Sequence, residues 1–143
     1  MGFSRLRIGR PLKERWEVPP MGSIKANCDA ALPQGGATSG LGIMLRNHNG
    51  HPIKALSIPH VVASAIQGEA LAIRLALKHA HDSGIINLLV VSDNKEIINY
   101  IEDPTRIPPL EVAVAIDDIR ELSYSFVSIS FLFVPRAMNS ICY

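Results

Sequence analysis

Three acidic residues stand at similar places in the predicted secondary structure, where carboxylates can do chemistry. Asp29 lies on the polar face of the first predicted strand, Glu69 lies near the start of the first predicted helix, and Asp93 directly follows an apolar strand. In open α/β sheets, sites form outside the carboxyl ends of parallel strands. If the strands that lead to Asp29 and Asp93 are neighbours, the three carboxylates converge. Such an oxygen-rich cluster suits Mg²⁺ or Mn²⁺.

The position of each acid can also be explained by a structural role. Asp93 precedes a predicted helix and could be its N-cap, a common role for aspartate at that place. Glu69 could be a surface acid that the helix dipole favours near the helix start. Asp29 is harder to explain in this way, because it ends a mostly small and apolar run. The residues alone leave both sets of roles open.

The first half of the chain predicts an antiparallel meander. Small or apolar side chains alternate with polar ones over residues 23–32, which predicts a strand with Asp29 on its polar face. Two further strands are predicted over 41–46 and 52–62, and the second of them is expected to be broken or at a sheet edge near Pro59. Asn49-Gly50 between the two strands is a strong hairpin signal. Short turns therefore join three antiparallel strands.

The second half of the chain changes to helical spacing. Ser64 and Gln67 fit a capping box, and Gly84 suits the position after a helix end. The predicted elements are a helix between Ser64 and Gly84, a strand over 85–91, a short helix capped by Ser92 or Asp93 and running through Tyr100, a helix from Pro109 to about Leu122, and a strand over 126–134. Because a β-α-β crossover requires parallel neighbours, the order β-β-β-α-β-α-α-β predicts an α/β fold with a mixed sheet of five strands.

Length and composition limit the classes to which the protein can belong. The 143 residues, 48% hydrophobic and 19% charged, predict one folded domain with a buried core. Cys28 and Cys142 are too few for a disulfide scaffold, and their spacing fits no zinc site. No apolar run reaches the ~18 residues that a membrane span needs, and the basic start lacks the apolar segment of a secretory signal. We therefore predict a reduced intracellular protein, and we expect a monomer without membrane contact.

Charge is distributed unevenly along the chain. The first 16 residues carry five basic side chains and one acid, so their net charge is +4 and that of the remaining chain is −3. Residues 1–20 are predicted to form an extended basic N-terminal arm that closes with Pro19-Pro20. The arm is interpreted either as a solvated tether or as a segment that contacts phosphates. The acidic body opposes direct nucleic-acid binding unless divalent ions reverse the local charge.

The motifs around the three acids resemble those of ribonuclease H-like domains, in the version common in plant retroelement-derived proteins and associated with reverse transcriptases. Five short segments match in order, after a lead-in that contains Trp16, Pro19 and Gly22. The segments are Ile24–Ala31, Gly40–Asn47 followed by Gly50, Glu69–Ala72, Val91–Asp93, and Val134–Arg136 followed by Asn139. The resemblance spans about residues 16 to 143, and its specificity comes from the order of the five motifs.

The resemblance implies an endonuclease that cuts the RNA strand of an RNA–DNA hybrid with two divalent ions, Mg²⁺ or Mn²⁺. In two-metal catalysis the ions sit roughly 3.5–4 Å apart and clamp the scissile phosphate. The three acids would be the catalytic residues and metal ligands, and contacts to 2′-hydroxyls would distinguish RNA from DNA. Beside the acidic motifs, Asn27, Arg46 and Asn94 are weaker candidates for nucleic-acid contact.

The chain departs from the family pattern after the last predicted strand. The family usually has a His near Phe133 and a Glu at the position of Ala137, and its fourth metal ligand falls at Tyr143. Tyrosine, with a pKa of about 10, is a poor Mg²⁺ ligand, so the fourth position is degenerate. The sequence also stops there, so the resemblance predicts a ribonuclease H-like domain over residues 21–143 whose closing C-terminal helix is missing.

The resemblance, taken with its departures, leaves two functions of different classes open. The leading prediction is metal-dependent hydrolysis of RNA in RNA–DNA hybrids, with activity impaired by Tyr143. The alternative is a non-catalytic module that keeps the ribonuclease H fold and binds nucleic acid or a protein partner. Three intact acids favour the enzyme, whereas Tyr143 favours the module.

Overall fold

A computed structural model describes residues 22–31 and 39–139 of the protein. The predicted basic arm, the predicted turn over 33–36 and Tyr143 lie outside the described residues. Within residues 22–31 and 39–139, none of the helices has the length and apolar character needed to cross a membrane.

Five strands in the described part of the chain form one mixed sheet in the order β3-β2-β1-β4-β5. Strands β1 and β2 pair antiparallel, as do β2 and β3, whereas β1 pairs parallel with β4 and β4 with β5. The sheet confirms the predicted meander and places the parallel pair β1 and β4 at its centre. The strands are β1 (Ile24–Ala31), β2 (Gly40–Arg46), β3 (Pro52–Pro59), β4 (Asn87–Ser92) and β5 (Ser128–Phe133).

Helices follow the meander in the predicted order. The first begins at the predicted N-cap, because the N–H of Gln67 donates to Ser64 Oγ over 3.2 Å. Gln67 reaches back one residue further than in a capping box, since its Oε1 accepts the N–H of Ala63 over 2.6 Å. A 3-10 helix after β5 was not predicted from the sequence. The helices are α1 (Ala65–Asp82), α2 (Lys95–Glu102), α3 (Leu110–Ser123) and the 3-10 helix Arg136–Met138.

Three predicted strand boundaries differ from the structure by two or three residues. One is the start of β5, which lies at Ser128 rather than at Phe126. Strand β3 ends at Pro59 rather than at Val62, since Pro59 is the last residue that pairs with β2. The predicted break or edge near Pro59 is confirmed, because β3 is an edge strand of the sheet. Proline has no N–H to donate, which suits it to the end of an edge strand. Strand β4 begins at Asn87 rather than at Ile85, because its pairing with β5 starts opposite Ser128.

The predicted cap of α2 is also wrong. Ser92 is the last residue of β4, and it pairs with both β1 and β5. The N-cap is Asn94, whose Oδ1 accepts the N–H of Ile97 over 3.1 Å. The capping interpretation of Asp93 is therefore excluded, and its carboxylate is directed elsewhere.

Helix α1 packs directly on β1, and small side chains allow this contact. Ala26 and Cys28 are fully buried on β1, as are Ala70 and Ala76 on α1, so Cys28 is the core residue that the strand pattern predicts. Helix α3 packs against α1. This arrangement holds the first turns of α1 beside the carboxyl end of β1.

Gly68 provides the closest approach between α1 and β1. A Cβ at this position would lie 2.7 Å from the Cβ of Ala30 and 3.6 Å from Cγ2 of Val62. A glycine inside a helix is about 1 kcal/mol less favourable than alanine. Because Gly68 precedes Glu69 and faces the residue after Asp29, its lack of a side chain brings these two acids together.

We expect Gly68→Ala to destabilise the protein by about 1–3 kcal/mol, despite the better helix propensity of alanine, because α1 and β1 must separate. Gly40→Ala is the matched control, since a Cβ at Gly40 would make only an ordinary contact, 3.6 Å from the Ile58 carbonyl oxygen. Urea unfolding measures both variants. A Gly68 variant as stable as the wild-type protein would contradict the close-approach explanation.

Candidate metal centre

Asp29 and Asp93 occupy equivalent positions on neighbouring parallel strands. Cys28 and Ser92 are paired across β1 and β4, and each aspartate is the next residue of its chain. Both carboxylates therefore lie at the carboxyl edge of the sheet, and Glu69 reaches the same edge from the second turn of α1. One oxygen from each of the three acids lies within 4.8 Å of the other two. The structure thus brings together the three acids that the topology predicts to converge.

Glu69 is buried, with 5% of its surface exposed. Its Oε2 accepts the backbone N–H of Ala30 over 3.2 Å, and its Oε1 accepts the Ser92 hydroxyl over 3.3 Å. Ser92 Oγ accepts the N–H of Asn94 over 3.1 Å, so its own proton is directed to Glu69. The interpretation of Glu69 as a solvated surface acid is therefore wrong. Its carboxylate is fixed between β1 and β4, and nothing in the sequence marked Ser92 as one of its partners.

Burial and mutual repulsion both raise the pKa values of Glu69 and Asp93. Burial, followed by the charges of Asp93 and Asp29, raises the pKa of Glu69 to about 8. Burial, followed by the charge of Asp29, raises the pKa of Asp93, and the guanidinium of Arg136 opposes this rise. Carboxylates that resist ionising together form a donor set that a divalent cation would stabilise.

These raised pKa values predict a loss of stability with rising pH in the metal-free protein. Between the ordinary pKa of 4.5 and the folded value of about 8, the unfolded chain has released the Glu69 proton that the folded protein keeps. The folded state binds more protons in this window, so the free energy of unfolding falls as the pH rises through it. The raised pKa of Asp93 acts in the same direction.

Urea unfolding in EDTA, from about pH 4 to about pH 9, measures this loss. We expect Glu69→Gln to flatten the fall, because the amide has no proton to release in that window. Asp82→Asn, at the exposed far end of α1, is the control and should keep the wild-type slope. The same slope in the Glu69 variant as in the wild-type protein would show that another group causes the effect.

A cationic side chain of the protein itself contacts the cluster. Arg136 Nη1 lies 3.2 Å from Asp93 Oδ2 and 3.8 Å from Asp29 Oδ1. The Arg136 side chain is 67% exposed, so it lies on the solvent side of the cluster. Arg136 was recognised from the sequence only as part of a motif. The signal that could have found it was its position just beyond a strand that runs parallel to β4.

The three weaker candidates for nucleic-acid contact bond to other protein groups. Asn27 is 2% exposed, and its side chain bonds to Asn139 and to Arg46. Arg46 also donates to the carbonyl of Gly50 over 3.4 Å, and Asn94 caps α2. Their role toward nucleic acid stays a prediction. The predicted fourth position, Tyr143, lies beyond the described residues.

The fold and the cluster agree with a family match. A family model described as reverse transcriptase-like matches residues 27–143, a stretch that contains all three acids. The chain belongs to the reverse-transcriptase-like family. No curated protein matches this family member in sequence. The plant retroelement-derived subtype stays a prediction.

Solved structures show which fold this reverse-transcriptase-like domain has. RNase H1 from the archaeon Halobacterium salinarum NRC-1 superposes with a TM-score of 0.75 at 22% identity, over 82% of this chain and 89% of that chain. LC11-RNase H1, isolated from compost by a metagenomic approach and solved with an RNA/DNA hybrid, gives 0.72 at 16% identity, over 82% and 88%. The foamy viral protease-reverse transcriptase gives 0.62 at 19% identity, over 89% of this chain and 18% of that chain. The domain has the ribonuclease H-like fold that its motifs predict.

Proposed function

We propose that this reverse-transcriptase-like domain is a metal-dependent endonuclease that hydrolyses the RNA strand of RNA–DNA hybrids. The observation that carries the proposal is the Asp29–Glu69–Asp93 cluster, with oxygens within 4.8 Å of one another at the carboxyl edge of a ribonuclease H-like sheet. Two proteins of similar fold, LC11-RNase H1 and the foamy viral protease-reverse transcriptase, are solved in complex with an RNA/DNA hybrid. Their ligand supports a hybrid as the substrate here.

The chemistry of the cluster fits divalent ions. Carboxylate oxygens are the ligands that Mg²⁺ and Mn²⁺ prefer. A cation would offset both the burial and the mutual repulsion that raise the pKa values of Glu69 and Asp93. Asp29, Glu69 and Asp93 would hold the two proposed ions, Mg²⁺ or Mn²⁺. When bound, such ions supply a water of lowered pKa and stabilise the charge that develops on the scissile phosphate.

Other groups of the protein would hold the metal ligands in place and contact the hybrid. The Ala30 N–H and the Ser92 hydroxyl hold Glu69 in one orientation, so its oxygens do not have to reorganise. Arg136 lies on the solvent side of the acids, and its guanidinium would donate to a phosphate oxygen of the hybrid. Contacts to 2′-hydroxyls would select the RNA strand.

A fluorogenic RNA–DNA hybrid tests the proposed activity. We expect cleavage of the RNA strand in Mn²⁺ and none in EDTA. Cleavage should be weaker in Mg²⁺, because Mg²⁺ demands near-ideal coordination and Tyr143 is a poor ligand at the family's fourth position. A DNA duplex of the same sequence should remain intact. Cleavage that is indifferent to EDTA, or equal cleavage of the DNA duplex, would contradict the proposal.

A non-catalytic module with the same fold is the second candidate, and one contact favours it. The guanidinium of Arg136 supplies a positive charge to Asp93 and Asp29 without any metal. A module that binds hybrids without cutting them would bind equally well in EDTA and in Mn²⁺. If the protein binds hybrids equally well in EDTA and in Mn²⁺ and yields no cleavage product in Mn²⁺, the non-catalytic module is the correct interpretation.

The basic arm is proposed as a phosphate-contacting segment, and its charge makes this testable. Deleting residues 1–15 removes five basic side chains and one acid. If these side chains contact phosphates, the deletion should weaken hybrid binding and flatten the plot of log affinity against log salt, by about 0.9 per lost contact on duplex DNA. An unchanged salt slope would leave the arm as a tether.

A further inference from the structure

Two buried asparagines join the first strand to the segment that follows the last strand. Asn27 is 2% exposed and Asn139 is 5% exposed. Asn27 Nδ2 donates to Asn139 Oδ1 over 3.0 Å, and Asn139 Nδ2 donates to the carbonyl of Cys28 over 2.9 Å. Arg46 Nε donates to Asn27 Oδ1 over 3.3 Å and orients that amide. Each asparagine therefore uses both its nitrogen and its oxygen inside the protein, although the two residues lie 112 positions apart.

This amide pair determines where the segment after β5 lies. Val134 N–H donates to the Ser92 carbonyl over 3.0 Å, which attaches the start of the segment to the end of β4. Asn139 attaches its end to β1, at the carbonyl directly before Asp29. Between these anchors, the N–H of Asn139 donates to the Arg136 carbonyl over 3.1 Å across a single 3-10 turn. Arg136 is thus held by a short segment that is fixed at both ends.

The fixed segment holds Arg136 against the acidic cluster. With the segment fixed, Arg136 Nη1 lies 3.2 Å from Asp93 Oδ2 and 3.8 Å from Asp29 Oδ1. A divalent cation that enters the cluster must compete with the guanidinium of Arg136 for the carboxylates. The positive charge of Arg136 also repels the cation from a distance of a few ångströms. Both effects weaken cation binding, and both depend on where Arg136 is held.

We propose that Asn27 and Asn139 are positioning residues, which hold Arg136 over Asp29 and Asp93 and so lower the affinity of the cluster for a divalent cation. This inference rests on the proposed function, because it assigns a regulator to the same metal site. Removing Arg136 or releasing it should have the same effect on cation affinity. The two changes should not add, since the amide pair acts through Arg136.

A double-mutant cycle tests this dependence. The four proteins are the wild-type protein, Arg136→Gln, Asn139→Ala and the double variant. Asn87→Ala is the matched control, because it also removes a side-chain hydrogen bond, the one that Ser128 Oγ donates to Asn87 Oδ1 over 2.7 Å. This bond joins the first residues of β4 and β5, at the end of these strands opposite to the acidic cluster. Each protein is melted in EDTA and then titrated with Mn²⁺ alone by calorimetry. Asn27→Ala repeats the cycle if the Asn139 variant does not fold.

We expect Arg136→Gln to raise the Mn²⁺ affinity several-fold and Asn139→Ala to raise it toward the same value. Asn139→Ala added to Arg136→Gln should change the affinity by less than about twofold, whereas Asn87→Ala should leave it at the wild-type value. In EDTA, Arg136→Gln should lower the melting temperature by less in the Asn139→Ala background than in the wild-type background.

Additive effects in the EDTA melts would overturn the proposal, because they show that Asn139 acts without Arg136. An affinity change on Asn139→Ala that persists in full with Gln at position 136 would overturn it as well. If the EDTA melts show the coupling but no protein binds Mn²⁺, the positioning of Arg136 stands and the proposed metal-dependent function fails. The two failures are therefore distinguishable.

Discussion

Asp29→Asn is expected to reduce hybrid cleavage by at least about a hundredfold, a loss comparable to the removal of one group that stabilises transition-state charge. The amide keeps the shape of the side chain but removes the negative charge that would hold a cation beside Glu69 and Asp93. Initial rates on a fluorogenic hybrid in Mn²⁺, with folding checked by circular dichroism, measure the loss. Glu69→Gln and Asp93→Asn should fall to a similar level, because the three acids act as one ligand set.

Asp82→Asn is the matched control for these variants. Asp82 ends the same helix that carries Glu69, about 20 Å further along its axis. It is exposed, and we expect its amide variant to cleave at the wild-type rate. A cluster variant that kept more than about half of the wild-type rate would remove its residue from the proposed ligand set.

Divalent ions are expected to raise the melting temperature of the wild-type protein by several degrees. A ligand that binds only the folded state at about one hundred times its Kd adds about 2.7 kcal/mol to the free energy of unfolding. Glu69→Gln should change the melting temperature in two opposite ways. In EDTA above about pH 8 the variant should melt higher than the wild-type protein, because burial and repulsion no longer oppose a charge at position 69. With Mn²⁺ present, the metal-dependent rise should be lost.

Thermal melts with a Mn²⁺ titration measure both effects in one experiment. Asp82→Asn should show the full metal-dependent rise. If Glu69→Gln kept that rise, the ion would bind outside the cluster. If the variant melted lower than the wild-type protein in EDTA at that pH, the hydrogen bonds of the Glu69 carboxylate would outweigh its burial and its repulsion by the other two acids.

The sequence predicted the features that depend on local pattern. Alternation around Asp29, the hairpin signal at Asn49-Gly50 and the capping box at Ser64 each reflect the chemistry of neighbouring residues. From these elements the rules of chain connection give parallel neighbours after a helical crossover. That step was sufficient to place Asp29 and Asp93 at one edge of the sheet, where the structure has them.

The remaining features depend on contacts between residues far apart in the chain. Burial of Glu69 requires the close approach at Gly68, and a glycine in a helix does not reveal what it packs against. The Ser92 hydroxyl became a partner of Glu69 because Asn94, and not Ser92, caps α2. The bond between Asn27 and Asn139 spans 112 residues, so no local pattern could predict it.

Anomalous diffraction from crystals grown with Mn²⁺ is the sharpest test of the three-acid metal site, because it locates the ion without reference to activity. We predict an anomalous peak within coordination distance of carboxylate oxygens from Asp29, Glu69 and Asp93, and its loss in crystals of Asp29→Asn. A fully occupied Mn²⁺ peak elsewhere, with none between these three acids at saturating Mn²⁺, would show that the cluster is not the metal site.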